Sequence, residues 1–79
     1  AALAARHKVA LKMNVPAARL DQVVPLLPSL HAPTVSPLYD RDWLALETVV
    51  DHDQVRDLLP RLIAARAQAI LEYELKQMV

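Results

Sequence analysis

Residues 43–50 read WLALETVV, and no other stretch of the chain narrows the possible folds so much. In an extended strand Leu44, Leu46 and Val50 share one side, while Trp43, Ala45 and Val49 share the other. A strand apolar on both sides belongs in the middle of a sheet, or has its second face covered by a partner. The rest of the chain must therefore supply the neighbouring strands and cover for at least one face.

The first neighbour is HKVALKMNV, residues 7–15, with Val9, Leu11, Met13 and Val15 on one side and Lys8, Lys12 and Asn14 on the other. That two-residue period is the mark of a half-buried strand. Asn14, Val15 and Pro16 should then open a helix, with proline where a missing N–H does no harm. Leu20, Val23, Val24 and Leu27 give it an apolar stripe, Pro25 lies opposite and should bend or tighten it, and Pro28 ends it. TVSPL, residues 34–38, reads as an edge strand, because Pro37 cannot donate to a central ladder. YDRD, residues 39–42, is a turn. DHDQ, residues 51–54, is a helix-start signature in which Asp51 accepts from first-turn amides and Gln54 reaches back. Val55, Leu58, Leu59 and Leu62 form a second stripe, with Pro60 off it. AQAILEYEL, residues 67–75, closes the series, with Ala67, Ala69, Leu71, Tyr73 and Leu75 expected on one face.

The order is β-α-β-β-α-β. Two helices apolar on one side must share one sheet face, which predicts an α+β, ferredoxin-like sandwich: a four-stranded antiparallel sheet with two helices on one face. The other face has no cover in this chain, so a partner is expected there.

Composition limits the function. The 79 residues suit one domain, assigned to 7–79. Residues 1–6 read as the end of a helix leading out of an absent region, and with Met13 the first methionine the chain looks like a piece of something longer. Nine basic and nine acidic side chains cancel, so the field that gathers phosphates is missing and nucleic acid is not an expected partner. There is no cysteine to form disulfides or thiolate sites, and no apolar run of about 18 residues for a membrane span.

Residue by residue, catalysis finds no footing. His7, His31 and His52 share no metal-ligand spacing and read as surface histidines. Asp40, Asp42, Asp51 and Asp53 read as turn and cap residues. Glu72 and Glu74 lie in a strand with no nucleophile nearby, and Trp43 with Tyr73 falls short of an RNA-stacking face. What remains is LPSLHAPTVSPL, residues 27–38, a connection stiffened by three prolines, two of them ahead of Thr34. Such a loop either simply stops the helix or presents fixed backbone groups to a ligand, with less ordering entropy lost on binding.

LKMNVP, LDQVVPLLPSLHAPTVSPL, DWLALETVV and AILEYELKQMV together resemble the C-terminal domain of long-form ATP phosphoribosyltransferases, which begin histidine biosynthesis. The resemblance runs from about residue 7 to residue 79. It implies a regulatory domain that binds L-histidine as a feedback inhibitor and meets its copies in a cytoplasmic hexamer. Catalysis by glycosyl transfer and the Mg2+ requirement would belong to N-terminal domains of the same chain; no catalytic or metal residues and no cofactor are expected in this stretch. Carried over, the histidine contacts are Asn14, Leu30, Ala32, Thr34, Val49 and Ala69. The family can carry an acid at the Asn14 position, favours glycine at the Ser29 and Arg66 positions, and in many members has Leu-Pro where Tyr73 and Glu74 stand. The alternative implied by the open sheet face is an oligomerisation module that binds no effector.

Overall fold

The structure, a computed structural model, describes residues 7–28 and 32–75. Four strands form one antiparallel sheet: β1 (Lys8–Pro16), β2 (Thr34–Pro37), β3 (Trp43–Asp51) and β4 (Gln68–Glu74). Their spatial order is β2-β3-β1-β4. The strand apolar on both sides is an inner one, and the proline-bearing strand is at an edge, as the residues predict. Both helices pack on the face formed by Val9, Leu11, Met13 and Val15 of β1 and Leu46 and Val50 of β3. This is the ferredoxin-like α+β arrangement.

The first helix is shorter than its stripe suggested. Pro16 closes β1 instead of opening the helix, with φ −57° and ψ 134° in the extended region. A 3₁₀ turn (Ala17–Arg19), one α-turn, α1 (Leu20–Val23), and a second 3₁₀ turn (Val24–Leu26) follow. Pro25 lies in the first turn of the last segment, where it forfeits no hydrogen bond, and the Leu27 N–H donates to the Val24 carbonyl at 3.1 Å. A 3₁₀ turn advances fewer residues per revolution than an α-turn. Val24 is thereby rotated into solvent, while Val23 and Leu27 are buried and Leu20 and Leu26 pack at the rim.

The second helix, α2 (His52–Ala64), follows its sequence signals closely. Asp51 and Gln54 form the reciprocal capping box, with the Asp51 N–H donating to Gln54 Oε1 at 3.0 Å. Val55, Leu58 and Leu62 are buried, Leu59 packs beside them, and Pro60 points outward. The helix ends in a Schellman motif: Ala67 N–H donates to the Leu62 carbonyl and Arg66 N–H to the Ile63 carbonyl.

Arg66 holds φ 72° in that motif. A side chain there costs about 1–2 kcal/mol through the clash of Cβ with the backbone. Glycine would remove the clash at a cost of about 0.5–1 kcal/mol in unfolded-chain entropy. Arg66→Gly is thus expected to raise stability by about 0.5–1 kcal/mol, moving the thermal midpoint up by roughly 2–8 °C. Differential scanning calorimetry of the two proteins checks this.

β4 departs from the predicted alternation. Asn14 faces Gln68 and Lys12 faces Leu71, so β4 spends one more residue than β1 over the same span, a β-bulge. Ala69 takes φ 52° within it. Ala67 is buried and Ile70 packs on the core, whereas Leu71 and Tyr73 are about half exposed. Ala67, Leu71 and Tyr73 therefore do not share one face, because the bulge reverses the strand between them.

Candidate functional site

The side of the sheet away from the helices is laid out by the strand register. Ser36 of β2 faces Ala45 of β3, which faces Asn14 of β1, which faces Gln68 of β4. In the next row Thr34 faces Glu47, Glu47 faces Lys12, and Lys12 faces Leu71. In the row beyond, Val49 faces Ala10 and Ala10 faces Tyr73. These residues alternate with the buried positions of β1 and β3, so they occupy the open face.

The face is therefore graded. One end is polar, with Ser36, Asn14 and Gln68 around the small Ala45. The middle carries one positive and one negative side chain. The far end, with Val49, Ala10 and Tyr73, is apolar.

Four of the six residues carried over from the resemblance are on or beside this face. Thr34 and Asn14 lie two strands and one row apart, about 12 Å between backbones at ordinary sheet spacings. Ala45 and Glu47 of β3 form the floor between them. Ala69 sits in the bulge between the partners of Asn14 and Lys12. Val49 is one row from Thr34 but two rows from Asn14, so the register does not make those two neighbours. Ala32 is exposed ahead of β2. Leu30 lies outside the described residues, as do Ser29 and His31.

Glu47 and Lys12 were not singled out from the sequence as site residues. The period showed which side of its strand each would take, but only the β2-β3-β1 register puts Glu47 between Thr34 and Asn14.

A second cluster joins residues that sequence spacing leaves unrelated. Because Lys8 faces Asp51, the chain ends of β1 and β3 meet, and the His52 N–H donates to the His7 carbonyl at 2.7 Å. The two imidazoles stack with centroids 5.3 Å apart and planes 15° from parallel. His7 Nε2 is 3.7 Å from Glu74 and His52 Nε2 is 3.7 Å from Glu72. Both rings are half exposed, and among the described residues no group of three or more His, Cys, Asp or Glu is arranged to hold a metal ion. The aspartates have structural roles where bonds are seen: Asp40 Oδ1 accepts from the Asp42 N–H at 3.0 Å, and Asp51 caps α2. Among the described residues, no helix is long and apolar enough to cross a membrane.

Among the described residues, fold and face together define a small α+β domain whose helices cover one side of its sheet and leave the other open. The chain belongs to the family described as HisG, C-terminal domain, which matches residues 5–77. It is 59% identical over 78 residues to an ATP phosphoribosyltransferase of Desulfosudis oleivorans, a match covering 99% of this chain. Similar proteins of the same name come from Nitratidesulfovibrio vulgaris, at 55% identity, and Desulforudis audaxviator, at 50%. In each case the chain spans 27% of the relative's length.

Proposed function

We propose that this chain is the regulatory domain of an ATP phosphoribosyltransferase, binding L-histidine as a feedback inhibitor and meeting its own copies through the open sheet face in a cytoplasmic hexamer. The observation that carries this reading is the match to the HisG C-terminal family over residues 5–77, with relatives that bear the enzyme's name. Transfer of the phosphoribosyl group, and the Mg2+ it requires, are assigned to the remainder of the parent protein. The described residues of this domain offer no cluster that fits a metal.

Binding would be built from Asn14 and Thr34 as side-chain hydrogen-bonding groups, with the proline-rich connection and Ala69 supplying backbone groups and a small wall. Leu30, Ala32 and Val49 complete the proposed contacts, and a neighbouring copy can close the pocket over the open face. Inhibition then follows as a coupling free energy. Histidine binds one arrangement of the domains better than another and shifts the population toward it.

Thr34→Ala is expected to weaken inhibition by L-histidine about three- to ten-fold, the worth of one hydroxyl hydrogen bond, and to leave uninhibited turnover nearly unchanged. Inhibition curves on the full-length enzyme read this directly. A large fall in basal turnover would contradict the division of labour. Calorimetry with millimolar L-histidine on the full-length protein tests the reading as a whole, and no heat of binding would count against it.

A second reading, assembly without an effector, is favoured by the half-exposed Leu71 and Tyr73 on the open face. Sedimentation with and without histidine separates the two, since a ligand-indifferent oligomer and no inhibition would leave assembly alone.

A further inference from the structure

The open face holds an oppositely charged pair in the middle of the proposed site, in direct cross-strand register. Glu47 faces Thr34 on one side and Lys12 on the other, and it is the diagonal neighbour of Asn14 through Ala45. Directly opposed residues have Cβ atoms about 5 Å apart and diagonal ones about 7 Å, so Glu47 is within reach of Thr34, Lys12 and Asn14, while Thr34 and Asn14 themselves lie on either side of it. Glu47, Lys12 and Thr34 are exposed, and Asn14 is partly so.

A neutral Asn14 offers an ammonium group only an uncharged acceptor. A carboxylate makes a charge-assisted bond roughly twice as strong. Glu47 is the carboxylate that the register puts beside both Thr34 and Asn14. Lys12 supplies the opposite charge one strand away.

We infer that Glu47 and Lys12 form a cradle for a zwitterion, Glu47 receiving the α-ammonium and Lys12 the α-carboxylate of a free amino acid. The inference rests on the reading of this face as an amino-acid site. It adds the two residues that would recognise the part common to all α-amino acids, leaving Asn14, Thr34 and the bulge at Ala69 to select the side chain. The pair's attraction for itself is weak while water surrounds it. A ligand carrying both charges can therefore come between the two groups without a large loss, and covering of the face strengthens each new contact.

The test uses the full-length protein and calorimetric titration with L-histidine, histamine, which lacks the carboxylate, and imidazolepropionate, which lacks the ammonium. Glu47→Gln is expected to weaken L-histidine binding about ten- to a hundred-fold and leave imidazolepropionate binding unchanged. Lys12→Met should weaken L-histidine binding similarly and leave histamine binding unchanged. Both side chains are exposed, and circular dichroism verifies that the variants fold. L-histidine binding of wild-type strength in Glu47→Gln or in Lys12→Met overturns the cradle. If Thr34→Ala alone weakens binding, the cradle falls and the amino-acid site stands. If the wild-type protein ignores L-histidine but binds another free amino acid in a manner needing both charges, the cradle stands and the identity of the effector falls. No binding of any free amino acid overturns both.

Discussion

Leu46→Ala is expected to destabilise this domain by about 2–5 kcal/mol, the range for emptying a well-packed aliphatic site. Leu46 is fully buried in an inner strand, opposite Met13 on one side and Val35 on the other. Strands hold it from both edges and helices cover it, so the surroundings have little freedom to collapse into the gap. A chain of 79 residues has a total stability of about 4–12 kcal/mol, so the loss is a large share of the whole. Urea unfolding should show the midpoint falling with little change in slope. Ile63→Ala is the matched control: Ile63 is 62% exposed on α2, and its truncation should stay within about 0.5 kcal/mol. Equal losses at the two positions would mean that the helices do not cover the face assigned to them.

Asp51→Ala is expected to be the most damaging polar substitution, at about 2–3 kcal/mol. A lost N-cap accounts for about 0.5–2 kcal/mol of this. The remainder comes from Lys8, whose Nζ lies 2.5 Å from Asp51 Oδ1. The side chains are only 29% and 13% exposed, so water replaces the lost partner incompletely. Asp51→Asn separates the two effects, because asparagine caps a helix about as well as aspartate but brings no charge. It should recover the cap's share, about 0.5–2 kcal/mol, of the stability lost by Asp51→Ala, and its remaining deficit should shrink as salt is added. A deficit for Asn equal to that for Ala would put the whole effect on the ion pair and none on the cap.

The strands at the centre of the sheet were legible because each is judged by a strict alternation that burial enforces. In β1 the buried residues are Val9, Leu11, Met13 and Val15, the set its period picks out. The cap at Asp51 was legible for a different reason: its chemistry is local and needs no knowledge of the rest of the chain. Val24 was misplaced since the stripe assumed 3.6 residues per turn throughout, and proline-linked 3₁₀ turns changed the angle. The bulge in β4 was hidden because a positive φ is ordinarily signalled by glycine, and here Ala69 occupies it. The open face was partly legible. Periodicity assigned Asn14 and Val49 to it but carried no information on register. Hence neither the position of Glu47 between Thr34 and Asn14 nor the stacking of His7 on His52 could be read before the strands were aligned.

Both outer strands refuse lateral growth. Pro37 leaves β2 short of a donor, and at the opposite margin the extra residue at Ala69 breaks the even spacing a fifth strand would require. A sheet so bounded cannot lengthen into a ribbon by recruiting another molecule's backbone.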